Sequence, residues 1–154
     1  MSEGQVLAAE RIGSALAEAG LQRMPARVWA ALLVDDDGRM TSAELSAFLH
    51  VSPAGVSGAV KYLSQLGMVR RERERGTRRD VYVVDDDAWH DTMLRHDQIY
   101  GPITHALDRG LADLGPEAPA HHRVALSLAF LRFLEEELDA ITVKWEHRKR
   151  ELGY

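Results

Sequence analysis

The stretch from Thr41 to Gly67 constrains the fold of this chain more tightly than any other. Thr41-Ser42-Ala43-Glu44 has the spacing of a capping box, in which a hydroxyl and a carboxylate three residues apart satisfy the free amides that open a helix. That helix is expected to end near His50. Ser52 then supplies a second cap, with Pro53 at the first helical position, and the apolar positions Val56, Val60, Leu63 and Leu66 run on to a terminating Gly67. Two short helices with a turn of only a few residues between them match the helix-turn-helix pattern.

Extended chain follows. Met68 to Glu74 and Arg79 to Val84 favour strands, and Arg75-Gly76-Thr77-Arg78 supplies the turn, so a two-stranded wing is expected. The alternation of Val81 and Val83 with Tyr82 and Val84 leaves one face to pack on the helices. Between Lys61 and Arg79 stand seven basic residues (Lys61, Arg70, Arg71, Arg73, Arg75, Arg78 and Arg79) and two acidic ones (Glu72 and Glu74), in a chain whose net charge is −5. A basic patch on an acidic body points to a polyanionic partner, and double-stranded DNA is the foremost one.

The flanks read as helices. Val6 to Ala19 is a run of small apolar residues closed by Gly20, and Pro25 opens a second helix through Val28, Trp29, Leu32 and Leu33 to the Asp35-Asp36-Asp37-Gly38 turn. Met40 reads as a short strand or extended link. After the wing, Asp87 caps one long helix carrying Trp89, Met93, His96, Tyr100, Ile103, Leu107 and Leu114, with Pro102 expected to kink it and Gly115-Pro116 to end it. The last helix, about Pro119 to Leu152, places Val124, Leu128, Leu131, Leu134, Leu138, Ile141 and Trp145 on one face, with Leu126, Phe130 and Phe133 alongside. So broad an apolar band calls for a second copy of the chain to cover it.

The fold class is therefore mainly α (α+β), a winged helix-turn-helix with long N- and C-terminal dimerisation helices. Its three pieces are 1–24, an N-terminal dimerisation helix; 25–86, the winged DNA-binding domain; and 87–154, the C-terminal dimerisation helices.

The stretches Thr41 to Leu45, Val51 to Ser57 and Leu63 to Arg71 resemble the MarR family of bacterial winged-helix regulators, including its GbsR-like branch. The resemblance covers roughly Pro25 to Val84 by motif, and the flanking helices by order and length. It implies a homodimeric transcriptional regulator, a repressor on an inverted-repeat operator, released by a small aromatic or apolar effector. It places the helix from Ser52 to Leu66 in the major groove and the hairpin tip at phosphates or the minor groove. Two departures stand out. Where family wings carry an acidic residue just before the arginine pair, Thr77 precedes Arg78-Arg79, and the usual start of the fifth helix is replaced by Val84-Asp85-Asp86-Asp87.

The DNA-binding residues expected are Ser52, Ala54, Gly55, Ser57, Gly58 and Lys61 on the second helix of the pair, with Arg71, Arg73, Arg75, Thr77, Arg78 and Arg79 on the wing. The helix face is small and nearly uncharged, so the backbone can approach the bases, and shape readout outweighs bidentate base contacts. Trp29, Trp89, Met93, His96 and Tyr100 are the candidates for an effector pocket, against the alternative that they are ordinary core. The calcium-loop spacing Asp35, Asp37, Gly38 and Glu44 lacks its first carboxylate, Leu33 standing there, and the six histidines His90, His96, His105, His121, His122 and His147 show no convincing ligand spacing. No metal and no cofactor is expected. The chain has no phosphate-binding glycine loop, nucleophile elbow or zinc-protease motif, so it is not expected to be an enzyme. A winged helix that binds protein without specific DNA binding is the alternative. With no cysteine, no secretory signal and no membrane-length apolar run, a cytoplasmic location is expected.

Overall fold

The computed structural model describes residues 2–73, 76, 79–93 and 96–154, with the side chains of 91–99 left aside. Two compact units result, Met1–Thr92 and Met93–Tyr154.

In the first unit, α1 (Glu3–Glu18) begins earlier than the apolar pattern indicates, because Ser2 and Gln5 form a capping box of their own. Gln5 does more than cap: its Nε2 also donates to the carbonyl of Val34 at 2.9 Å and to Asp36 Oδ1 at 3.0 Å. The helix lies against α2 (Arg23–Leu33), where Gly13 allows close approach, since a Cβ there would stand 3.4 Å from the Arg27 Cα. The first compact unit thus contains both α1 and the winged helix.

Helix α2 is the centre of the core. Ala26, Val28, Trp29, Ala30, Ala31 and Leu32 have no exposed surface, and the Trp29 indole N–H finds the one polar partner it needs in the carbonyl of Met68, at 3.1 Å. Around it pack Leu45 and Leu49 of α3 (Ser42–Leu49), Val56, Val60 and Leu63 of α4 (Pro53–Gln65), and Met40, Tyr82 and Val84 of the sheet. Both caps read from the sequence form: Thr41 with Glu44 closes a full capping box on α3, and Ser52 Oγ accepts the amide of Gly55 at 3.3 Å. Helix α3 ends at His50, which takes a left-handed conformation at φ 53°, and the guanidinium of Arg27 donates to the carbonyl of Leu49 at 2.9 Å.

The wing differs from the two-stranded hairpin expected. It is a three-stranded antiparallel sheet, with β3 (Asp80–Val83) between β1 (Arg39–Thr41) and β2 (Arg70–Arg73). Met40 is not a link but a paired strand residue, opposite Tyr82. The Asp-rich turn makes this possible: Asp35 Oδ1 accepts the amides of Asp37 and Arg39, and Gly38, at φ 62°, accepts the Val84 amide on its carbonyl at 2.9 Å. A Cβ on Gly38 would meet the Val84 oxygen at 2.6 Å, so only glycine lets β1 lie so close to the end of β3.

Of the helix expected from Asp87, the structure describes α5 (Ala88–Met93) and α6 (His96–Leu114), and residues 94–95 between them lie outside the described residues. In the second unit, Pro102 lies inside α6, and the neighbouring Gly101 carbonyl accepts Thr104 Oγ1 at 2.9 Å. Gly115 at φ 70° follows the last residue of α6, and α7 (His121–Leu152) packs on α6, with Arg132 paired to Asp108 at 2.8 Å. Helix α7 carries two apolar stripes, not one. Leu128 is buried and Val124, Leu131, Leu134, Leu138 and Trp145 are half-buried, whereas Leu126, Phe130, Phe133 and Ile141 are exposed.

Candidate nucleic-acid interface

Helix α4 divides cleanly. Val56, Ala59, Val60 and Leu63 are buried, while Ser52, Ala54, Ser57, Gly58 and Lys61 are exposed and Gly55 half-exposed. The six residues expected on the outer face all lie there. No carboxylate occurs anywhere on this helix, and Lys61 is its only formal charge. Gly58 is the unusual member, since a Cβ added to it would meet nothing within 4 Å. A glycine inside a helix costs roughly 0.5–1 kcal/mol relative to alanine, and no neighbour in the first unit requires its smallness.

The sheet carries the arginines, and its register sorts them. Directly paired residues share a face, so Arg39, Val83 and Arg70 lie together with Thr41, Val81 and Glu72, while Met40, Tyr82 and Arg71 lie on the other side with Asp80 and Arg73. On the first face a chain of ion pairs runs from Arg39 to Glu72 (2.8 Å), from Glu72 to Arg70 (2.9 Å) and from the Arg70 Nε to Asp85 (2.9 Å). It explains why Val81 and Val83 are buried although neither belongs to the helical core: charged side chains and their aliphatic stems cover them. The hydrogen bond to Asp85 is the main reason the Arg70 guanidinium is held above its usual pKa.

On the other face, Tyr82 and Val84 reach the helical core, and farther out Arg71 Nη2 donates to Asp80 Oδ2. Asp80 lies diagonally across the ladder from Arg71 and directly opposite Arg73. Its carboxyl is held below the usual range, first by the hydrogen bond from Arg71 and then by the charges of Arg71 and Arg73. Glu44 is likewise lowered, chiefly by the backbone amide and hydroxyl of Thr41, with a smaller part from the charge of Arg79.

The net positive charge of the hairpin is thus smaller than the stretch from Lys61 to Arg79 indicates. Arg70 is neutralised within its own face, and Asp80 and Asp85, just beyond that stretch, offset two charges. Neither acid stands out in the linear sequence, since each finds its arginine only once the strand register is known. Arg71 and Arg73 remain exposed on β2, and Arg79, just before β3, is exposed as well. Arg75, Thr77 and Arg78 lie outside the described residues.

The expected effector residues belong to both units. Trp29 has no exposed surface, so it backs the core instead of lining an open cavity; Trp89, 48% exposed, stands edge-on to it at 4.7 Å between ring centroids. Tyr100 is half-buried in the second unit, and the side chains of Met93 and His96 lie outside the described residues. The carboxylates of the calcium-like spacing are occupied otherwise: Asp35 holds the turn and Glu44 accepts from Thr41 at 2.7 and 2.8 Å. Among the described residues, no helix is long and apolar enough to cross a membrane.

A capped helix pair, a basic three-stranded wing packed on it and a terminal helical hairpin define a winged helix-turn-helix. A family model described as the MarR family matches residues 19–80, and one described as an MmpR5-like MarR family transcriptional regulator matches residues 87–148. The chain belongs to the MarR family of transcriptional regulators. It is 28% identical over 114 residues to the HTH-type transcriptional regulator MmpR5 of Mycobacterium tuberculosis, covering 74% of this chain and 69% of that protein. The crystal structure of a transcriptional regulator shares the fold with a TM-score of 0.81 at 23% identity, over 94% of this chain and 99% of that one. These matches carry the MmpR5-like description and not the GbsR-like one that the resemblance brought in.

Proposed function

We propose that the protein is a cytoplasmic repressor that binds an inverted-repeat operator as a two-fold dimer, with α4 in the major groove and the wing along the phosphates or minor groove. The observation that carries this reading is the pairing of an uncharged, small-residue outer face on α4 with arginines on the adjoining sheet. Close approach and charge are supplied by different elements, as groove insertion beside a phosphate backbone requires. Dimerisation is supported by Leu126, Phe130 and Phe133 of α7, whose exposures of 62%, 59% and 57% line up three and four residues apart.

Titrating duplex DNA at several salt concentrations tests the core of the reading. Affinity should fall steeply with salt, with a log–log slope of about 0.9 per neutralised phosphate, and sedimentation should show a dimer on an operator whose half-sites lie roughly 10 bp apart. A weak, salt-insensitive association would leave a winged helix that binds protein.

The regulatory part of the proposal is that a small apolar or aromatic molecule releases the DNA, with the half-exposed Trp89 as its anchor. Linkage requires that such a molecule bind the free protein more tightly than the DNA complex, by the same factor that it weakens DNA binding. A thermal-shift screen followed by DNA titration with each hit tests this: a stabilising hit that leaves DNA affinity unchanged is not an effector.

A further inference from the structure

We propose that Asp80 is a positioning residue for DNA binding: it holds the guanidinium of Arg71 in place for a phosphate. The inference rests on the reading of the wing as a DNA contact. A carboxylate amid arginines is, by Coulomb's law alone, a liability on a surface meant for a polyanion. Yet Asp80 sits across the ladder from Arg73, diagonal to Arg71, and follows directly on Arg79. Its side chain is 27% exposed, that of Arg71 62%, so the acid is tucked behind a base that reaches solvent.

The hydrogen bond from Arg71 Nη2 uses one of the guanidinium's five N–H groups. The remaining donors stay in a rigid fork, suited to two oxygens of one phosphate. An arginine free in solvent gives up much of its rotamer entropy on being fixed. Here part of that cost is met on folding, because Asp80 belongs to the central strand and its Oδ2 is placed by the sheet. The arrangement differs from the Arg70 face, where the bases are committed to Glu72 and Asp85 in a closed chain. On the Asp80 face one carboxylate serves two arginines, so cationic capacity remains.

The two views of Asp80 predict opposite signs. The probe is the duplex that the unaltered chain enriches from a random-sequence library, titrated with full-length variants whose thermal midpoints are recorded alongside. Asp80→Ala removes a negative charge from the surface, yet positioning requires it to weaken binding, by roughly three- to tenfold, the net scale of one exposed hydrogen bond. Asp80→Asn, which keeps an acceptor oxygen and disturbs the fold least, should weaken it less. In an Arg71→Ala background, Asp80→Ala should no longer weaken binding at all, because the group being positioned is gone. If Asp80→Ala or Asp80→Asn leaves affinity unchanged or raises it, or if the loss persists without Arg71, the positioning role is refuted. The DNA-binding reading fails separately, and only if the unaltered chain shows no salt-dependent affinity for duplex DNA.

Discussion

Helix α4 and the wing lie side by side in one unit and are built on opposite plans. The outer face of α4 offers a bare helix, with small side chains, one lysine and a glycine whose missing Cβ faces open space. The wing is crowded with charge, much of it bound to itself: Arg39, Arg70 and Arg71 all have carboxylate partners, and two of these acids come from β3 or just after it. Closeness and charge are therefore separable properties of a binding surface. A groove admits a helix whose surface is slender, while a phosphate backbone is held at arm's length by cations that the sheet must keep in order. Self-pairing in the wing ties the strands of a small, partly exposed sheet to one another and to Asp85.

Substitutions can set the two plans against each other, and the greatest loss is expected where both regions depend on one backbone position. Gly38→Ala forces a left-handed conformation on alanine and drives its Cβ to 2.6 Å from the Val84 carbonyl. It should destabilise the first unit by at least about 2 kcal/mol and release β1 from β3, lowering the thermal midpoint and the amide protection of the sheet. If the midpoint is unchanged, β1 is not part of the wing's scaffold. Next, replacing Arg73 and Arg79 with alanine should weaken binding to every duplex alike and lower the salt slope by about 0.9 for each phosphate that a subunit no longer neutralises. A changed sequence preference with an unchanged slope would move those arginines from the backbone to the bases.

Gly58→Ala makes the clearest contrast, because stability and binding should part. The substitution should stabilise the free protein by roughly 0.5–1 kcal/mol, with no neighbour to strain, while weakening operator binding at an unaltered salt slope. Should affinity rise with stability, the outer face of α4 does not approach anything closely. A lesser change is expected at Glu44. Its folded pKa is depressed by Thr41, so its contribution to stability is complete above the unfolded carboxylate range and is lost as pH falls through the folded value. Glu44→Gln should therefore lower stability at neutral pH, where the contribution is complete, and flatten the acid limb so that the two profiles converge at low pH; an equal loss at low pH would mean the effect does not come from the ionised carboxylate.

Much of the fold is legible in the residues because local chemistry dictates it. Thr41 with Glu44, Ser52 with Pro53, and the glycines 20, 67 and 115 mark helix ends through bonds to backbone groups a few positions away. The outer face of α4 is equally readable, since its inner positions repeat at helical spacing. The apolar pattern places the first helix too late because the opening turn carries no apolar signal, only the polar Ser2–Gln5 box.

Caps, turns and periodicity act over three or four residues, so the residue pattern is enough to say which stretches form helices and strands, and that a basic hairpin follows a capped helix pair. How the charges are used is a matter of packing. Met40 became a sheet residue through a pairing some forty positions away, and Asp80 and Asp85 were drawn into ion pairs with Arg71 and Arg70, by a register that no local spacing encodes. Trp29 likewise became wholly core when Met68 offered its carbonyl from a distant turn. Contacts of that kind depend on which strands lie side by side, and that is settled only when the whole unit packs.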